Sequence, residues 1–265
     1  MQGTLINYKN TGSNDPFNAR LIFGVLDLRS SIVKDEQERM EFDNLYAPIM
    51  QNLDEAFTSK KDLMDLIAEH RRKLASGEIV NFQAHALEIT ESIDRKMGEL
   101  FNNFFIKGQI ALKLLQKLTK KYDLKIGHFF KDDEDFAKGN KKLLESGDER
   151  IKAFAEMLAS DRNWHKVFSE VRRRIEHEGF SLGAARYKTN EKEVALLLPT
   201  FDNEKFEHFL DILEKNLFEF VEDVIATMVQ LKLPGPLTVV KIPKEQQDPS
   251  LPVKYKVYPK DLAVK

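Results

Sequence analysis

The residues best suited to chemistry lie in one stretch, Trp164 to Phe180 (WHKVFSEVRRRIEHEGF). Its apolar residues recur every three to four positions, which predicts an amphipathic helix. Gly179 suits the position just after such a helix, and His177 falls in the last turn, where the helix dipole favours a protonated imidazole. Because an imidazole titrates near neutral pH, His177 is the candidate here for acid–base chemistry.

Three consecutive arginines, Arg172, Arg173 and Arg174, precede this histidine. Arg173 lies on the same helix face as His177, whereas Arg172 lies about 140° round the helix from it. A guanidinium on its three-carbon arm can still reach an anion that His177 also contacts, and it can bind two phosphate oxygens at once. The stretch is therefore compatible with a cationic site for phosphate.

An ordinary solvent-exposed helix accounts for the same residues. Glu170 and Arg174, like Arg172 and Glu176, have the i,i+4 spacing of exposed ion pairs, which contribute about 0.2–0.5 kcal/mol each. Basic residues are also common near helix C-termini because the dipole favours them. On the residues alone, a solvated helix face with a capping histidine is the favoured interpretation.

The run Arg172 to His177 (RRRIEH), followed by Glu178 and Gly179, resembles the R-x(4–6)-H signature of the HEPN superfamily (higher eukaryotes and prokaryotes nucleotide-binding). Members of this superfamily are helical bundles that occur in toxin–antitoxin and phage-defence systems. The tryptophan-bearing turn before the run is similar to the lead-in of several HEPN branches. So are the short strand-like pair and the long apolar helix after it. The resemblance covers Ser92 to Leu233.

The resemblance implies a metal-independent endoribonuclease with a site shared by two copies of the chain. In that family the arginine and histidine of two protomers meet across a dimer interface, and RNA supplies its own nucleophile, the 2′-hydroxyl. We therefore predict Arg172 and His177 as catalytic residues. We expect no metal and no cofactor, and as partners RNA or a nucleotide, a second copy of the chain, and a cognate antitoxin or defence partner. The predicted substrate-binding residues are Trp164, His165, Arg173 and Glu176.

Two other functions stay open. Many active HEPN members carry Asn, Asp or His directly after the arginine, and this chain has Arg173 there, which favours a non-catalytic module that binds nucleotides, RNA or a partner protein. A helical dimerisation or adaptor protein without an active site is favoured by the many apolar helix stripes and by the near-neutral charge. The 41 basic and 43 acidic side chains give a net charge of −2, so any polyanion site must be local.

Several classes of function are excluded or disfavoured by what the sequence lacks. It has no cysteine, which rules out disulfides, thiolate metal sites and cysteine nucleophiles. It also lacks a phosphate-binding glycine loop, paired metal-binding histidines and the serine-hydrolase motif. Neither a signal-peptide pattern nor an apolar run of about 20 residues is present, so we expect a cytoplasmic protein without a membrane partner.

Helical periodicity predicts an all-α, multi-helix bundle with a small β-hairpin insertion and a short β-like C-terminal tail. Val33 to Phe57 is predicted helical, with Pro48 as a kink or a new start, and a further helix follows an N-cap at Thr58 or Ser59. Ile79 to Tyr122 is predicted helical almost throughout. Within it, Gly98 and Gly108 indicate a bend or a close helix contact. His70 and His85 are assigned to the surface.

The second half of the chain predicts further helices, a short hairpin and two short strands. Asp148 or Glu149 begins a helix that Ser160-Asp161 breaks or recaps before the Trp164 stretch, and Asp202 or Asn203 caps a long helix that ends before Pro234. A short hairpin is predicted at Ala185–Thr189 and Glu193–Leu198, and two short strands are predicted at Leu237–Ile242 and at Val253–Tyr258. Lysines of the last strand, Lys254 among them, are placed on its open face, where they protect an edge; a polyanion contact is the second interpretation. The predicted domains are an N-terminal helical extension (1–80), a HEPN-like bundle (81–233) and a basic C-terminal tail (234–265).

Overall fold

The computed structural model describes residues 15–83, 86–180, 182, 184–190, 193–201 and 204–262. Within them the fold is mostly helical, and the strands form only two-stranded antiparallel ribbons. The predicted fold class, a multi-helix bundle with small β additions, is confirmed. No helix in these ranges is both long enough and apolar enough to cross a membrane.

Six α-helices lie in the described residues. They are α1 (Val25–Ser30), α2 (Glu36–Ser76), α3 (Asp94–Lys121), α4 (Asp133–Leu144), α5 (Glu149–His177) and α6 (Phe206–Lys232). A π-helical segment, Phe17–Gly24, leads into α1, and short 3-10 turns occupy Gly127–Phe130 and Lys244–Gln246.

The strands pair only with their neighbours in sequence, so each pair is a hairpin-like ribbon. The pairs are β1 (Val80–Gln83) with β2 (Ala86–Ile89), β3 (Arg186–Asn190) with β4 (Glu193–Leu197), β5 (Thr200–Phe201) with β6 (Glu204–Lys205), and β7 (Leu237–Lys241) with β8 (Tyr255–Pro259). The ribbon β3–β4 confirms the predicted hairpin, and β7 and β8 confirm the two predicted short strands, with each strand end within two residues of its prediction. The pairing of β7 with β8 was not predicted from the sequence.

The chain folds into two compact units that alternate along the sequence. The first unit contains the described residues up to Gln51, Ala111–Asn163 and the residues from Phe218 onward. The second unit contains Asn52–Ile110 and Trp164–Leu217. Helices α2, α3, α5 and α6 each contribute residues to both units. The division at residues 80 and 233 made from the sequence stays a prediction.

Phenylalanines form the core of the second unit. Phe105 of α3 packs on Phe168 of α5, with 4.9 Å between ring centroids, and Phe101 of α3 stacks on Phe206 of α6 at 5.9 Å. Gly108 allows these helices to approach, because a Cβ at this position would lie 2.6 Å from Phe168 Cζ. The predicted close helix contact is therefore confirmed at Gly108. Among the described residues, no atom outside its own helix turn lies within 4 Å of the corresponding point at Gly98.

A buried arginine organises the first unit around α4. Arg162 of α5 donates to the backbone oxygens of Phe129 and Lys131, and its guanidinium lies 4.9 Å from the ring centroid of Phe136. Asp132 caps the N-terminus of α4 by accepting a hydrogen bond from the backbone N–H of Asp135 (2.9 Å). These contacts fix the acidic turn before α4 against α5.

The predicted new helix start after Thr58 or Ser59 is wrong, because α2 continues from Glu36 to Ser76 through Pro48. Instead of capping a helix, the Ser59 hydroxyl donates to the backbone oxygen of Glu55 (2.7 Å). A proline inside a helix costs about 3 kcal/mol or more. The cost is met by the apolar residues that α2 buries along its whole length, which include Phe42, Ile49, Leu53, Leu63 and Ile67.

The prediction that Ile79 to Tyr122 is helical is wrong for its first part. Val80–Gln83 and Ala86–Ile89 pair as the ribbon β1–β2, and α3 begins only at Asp94. Each strand is four residues long, and a run this short cannot be assigned to strand or helix by periodicity. The predicted positions of His85, Asp202 and Asn203 lie outside the described residues.

Candidate functional site

The candidate site lies at the C-terminal end of α5, in the second unit. Trp164, Phe168 and Val171 anchor this part of the helix because they are buried in the phenylalanine core. The helix ends at His177, and Gly179 follows with a φ of 63°, the left-handed conformation that suits glycine. The backbone N–H groups of Glu178 and Phe180 both donate to the backbone oxygen of Arg174 (3.0 and 3.1 Å), which closes the helix end.

The two predicted catalytic residues flank one carboxylate. Arg172 Nη2 forms an ion pair with Glu176 Oε2, and the same oxygen lies 3.8 Å from His177 Nε2. Arg172 and Glu176 are partly buried, whereas the His177 side chain is 65% exposed. The buried Nε of Arg172 has no hydrogen-bond partner. The structure therefore brings Arg172, Glu176 and His177 together, with the imidazole open to solvent.

The other two arginines are also paired with glutamates. Arg173 donates from Nε and Nη2 to Glu170 (2.9 and 2.7 Å) and from Nη1 to Glu178 (2.7 Å). These hydrogen bonds raise the pKa of Arg173, and those to Glu170 have the largest effect. Arg173 in turn lowers the pKa of Glu170. Arg174 lies 3.6 Å from Glu178 and stacks its guanidinium 4.7 Å from the Phe180 ring centroid. The arginine run is thus locally balanced by acidic side chains.

Trp164 and His165, predicted to bind substrate, belong to the core of the unit. Both side chains are buried, and the Trp164 ring lies edge-on to Phe168 with 6.3 Å between centroids. His165 Nε2 lies 3.1 Å from the Ser169 hydroxyl. In this arrangement they support the helix that carries Arg172 and His177, and their role in substrate binding stays a prediction.

The assignment of His70 to the surface is wrong. Its side chain is only 1% exposed, and its Nε2 lies 2.9 Å from the hydroxyl of Tyr187 on β3. Burial lowers the pKa of His70 and raises that of Tyr187. The signal was in the sequence: Leu63, Ile67, His70 and Leu74 have the spacing of one helix face, and the other three are apolar and buried.

The placement of Lys254 on an open strand face is wrong as well. Lys254 precedes β8 and is buried in the first unit, where its Nζ donates to Asp223 Oδ1 and lies 3.6 Å from Glu222 Oε2. Glu222 is also paired with Arg20, whose Nε lies 3.0 Å from both carboxylate oxygens. Acidic residues of α6 could not be matched to residue 254 from the sequence, because the pairing depends on how the C-terminal ribbon packs.

The described residues contain no group of three or more His, Asp or Glu side chains placed to hold a metal ion. No protein-family model, curated protein or solved structure matches this chain.

Proposed function

We propose that this chain is a HEPN-like, metal-independent endoribonuclease that acts through Arg172 and His177 at the end of α5. The observation that carries the proposal is the cluster formed by these two residues around Glu176, in which the imidazole is exposed and the guanidinium is held in place. A histidine that transfers protons and an arginine that binds phosphate oxygens can together cleave an RNA phosphodiester when the nucleophile comes from the RNA itself.

The proposed reaction is a transesterification. His177 Nε2 removes the proton of the 2′-hydroxyl, and the 2′-oxygen forms a bond to phosphorus. The bond between phosphorus and the 5′-oxygen then breaks, and the leaving oxygen takes a proton from the protonated His177 of a second copy. The products are a 2′,3′-cyclic phosphate and a 5′-hydroxyl. A positioned general acid or base contributes roughly 10²–10⁴-fold to the rate of such a step.

In the proposed reaction, Arg172 stabilises the negative charge of the phosphorane. A guanidinium has five N–H donors, and only those on Nη2 are directed to Glu176, while Nε has no partner. Because Nε is buried, the donors on Nη1 are the ones that remain for the non-bridging phosphate oxygens. Glu176 would then orient the guanidinium, and fixed donors of this kind stabilise developing charge better than water does.

Single-turnover cleavage of a labelled RNA pool in EDTA tests the proposal. The wild type is expected to cleave and to leave cyclic phosphate ends, while His177→Ala and Arg172→Ala are expected to be at least about 100-fold slower. His208→Ala is a matched control, since His208 is 60% exposed with its Nε2 3.7 Å from Glu204. Arg95→Ala is the control for the arginine, since Arg95 forms an i,i+4 pair with Glu99 on α3.

The outcome that contradicts the proposal is equal cleavage by all five proteins, or none by the wild type. The shared site also requires a solution mass of twice the 30.7 kDa chain. A strictly monomeric mass, measured by light scattering at the concentration of the cleavage assay, would remove the second histidine from the mechanism.

A second candidate is a non-catalytic HEPN-like module or adaptor that binds RNA, a nucleotide or a partner protein. It is favoured by the balance of charge on this surface, where Glu170, Glu176 and Glu178 pair with the three arginines. Binding of RNA by the wild type without cleavage, weakened by Arg172→Ala, would select this function. Absence of both binding and cleavage would favour a protein partner.

A further inference from the structure

An open groove of about 830 Å³ runs through the first unit, and its lining includes none of the residues assigned to RNA cleavage. The first half of α5 and the second half of α6 form its floor, and the ribbon β7–β8 forms one wall. Its apolar lining includes Ala153, Phe154, Met157, Ala226 and Val239. A volume in this range is typical of sites for small organic ligands, which combine an apolar floor with a few placed polar groups.

The wall of the groove is held against α6 by hydrogen bonds. The side-chain oxygen of Gln230 accepts from the Thr238 hydroxyl (3.0 Å) and from the backbone N–H of Val239. On the opposite strand, the Tyr255 hydroxyl donates to Asp223 Oδ1 of α6 (2.9 Å). Both strands of the ribbon are therefore fixed to the same helix, and the groove exists before any ligand enters.

Among the charged side chains that line the groove, more positive than negative charge is left without an ion-pair partner. Asp223 is the acidic lining residue, and its carboxylate is compensated by Lys254 and Tyr255. Arg150 is bound through Nε and Nη2 to Asp148. Lys241 and Lys260 form no ion pair with any residue that the structure describes. Two lysine ammonium groups thus remain uncompensated beside an apolar floor.

We propose that this groove binds a small organic anion with an apolar body. Its acidic group, a carboxylate or a phosphate, contacts Lys241 and Lys260, and its body lies on the floor formed by α5 and α6. Lys241 is the cross-strand partner of Tyr255, so one cation is held at the fixed wall of the groove. A neutral ligand of the same shape gains only the apolar contact, and a cationic one is repelled by the same lysines.

Calorimetric titration of the full chain with four octyl compounds tests the proposal. Octanoate and octyl phosphate are expected to bind one molecule per chain, and octanol and octylammonium to bind more weakly. The double variant Lys241→Gln/Lys260→Gln should lower the affinity for octanoate by about tenfold, because it removes charge-assisted contacts. Ala153→Phe should lower the affinity for all four compounds, since it places a ring at an exposed position of the groove floor.

Lys256→Gln is the matched control. Lys256 is exposed on β8 and pairs with Val240, one register position away from the pair formed by Lys241 and Tyr255. Because side chains alternate along a strand, it points to the other face of the ribbon, and octanoate should bind this variant like the wild type.

Three results would overturn the proposal. They are the absence of binding by both octyl anions, equal binding of the anionic and cationic octyl compounds, and an unchanged octanoate affinity in the double lysine variant. Binding of a short RNA in place of the octyl anions, weakened in that variant, would assign the lysines to a polyanion instead. None of these results depends on whether the wild type cleaves RNA, since the groove variants leave Arg172 and His177 intact.

Discussion

At the scale of single residues, the most consequential feature is a carboxylate buried between two cations. Glu222 is 2% exposed and is paired with Arg20 and, at 3.6 Å, with Lys254. Burial raises the pKa of Glu222, and the hydrogen bonds and charge of Arg20 oppose that shift. Removing charges from water is costly, and such a pair is sensitive to the loss of either partner.

We expect Arg20→Ala to lower the free energy of unfolding by about 3 kcal/mol, because it leaves Glu222 buried with only Lys254 to compensate it. The cation–aromatic contact of Arg20 with Phe218 (4.4 Å) is lost as well. Urea unfolding measures the change. Arg39→Ala is the control, since Arg39 forms an exposed pair with Glu36 at 3.7 Å and should change stability by less than about 1 kcal/mol. An equal effect of both variants would contradict the argument.

Residue-scale predictions from the sequence succeeded where the information was local. The helix end at His177 and Gly179 followed from a glycine placed after an apolar stripe, and the structure contains that ending. His70 was predicted to lie at the surface because histidine is polar, although its spacing puts it on the buried face of its helix. The partners of Glu222 lie about 200 and 30 positions away in sequence, and no local pattern joins them.

At the scale of elements, the contrast between two glycines of α3 shows how the helices pack. Gly108 faces Phe168 and Leu217, whereas no atom of another element in the described ranges lies within 4 Å of a Cβ built at Gly98. The two positions therefore separate the intrinsic cost of glycine in a helix from the space that glycine leaves for a neighbour.

We expect Gly98→Ala to raise the free energy of unfolding by about 1 kcal/mol, the helix-propensity difference. Gly108→Ala should lower it by about 1–3 kcal/mol, since the new methyl group would lie 2.6 Å from Phe168 Cζ and 2.9 Å from Leu217 Cδ2, both in a packed core. Thermal and urea unfolding of the two variants check the opposite signs. Stabilisation by both substitutions would contradict the argument, because it would mean that the side chains around Gly108 rearrange to accept the methyl group.

Elements were predicted well where turn residues and helix stops bracket them, as at the β3–β4 ribbon and at the end of α6 before Pro234. They were predicted poorly where tertiary packing overrides a local signal. Pro48 indicated a kink or a new start, and α2 has no new start there, because the helix buries apolar residues on both sides of Pro48. The break predicted at Ser160-Asp161 is wrong, because α5 runs without interruption from Glu149 to His177. The four-residue strands of β1–β2 were too short to be distinguished from the helix that follows.

At the scale of the whole molecule, stability is expected to fall as the pH falls below neutrality. Burial lowers the pKa values of His70 and His128, one in each unit, below the ordinary value of 6.5. Both imidazoles are therefore neutral in the folded chain and bind protons more readily in the unfolded chain. Below pH 6.5 the unfolded state gains protons that the folded state does not, so the free energy of unfolding decreases.

Urea unfolding at pH 7.5 and pH 5.5 measures this dependence. We expect each buried histidine to contribute a loss of about 1 kcal/mol over that range, and we expect His70→Gln to remove its share of the pH dependence whatever it does to stability at pH 7.5. A wild type and a His70→Gln variant with parallel pH profiles would contradict the argument, because they would show that the pKa of His70 is the same in the folded and unfolded states.

The interleaving of the two units has a consequence for synthesis on the ribosome. The second unit takes its last stretch from Trp164–Leu217, and the first unit takes its last stretch from Phe218 onward. A chain that emerges N-terminus first can therefore complete neither unit until α6 has left the exit tunnel. The apolar faces of α2 and α3 stay exposed through most of translation, until the later helices that pack against them have been synthesised. The nascent chain is therefore a substrate for chaperones that cover exposed apolar surface.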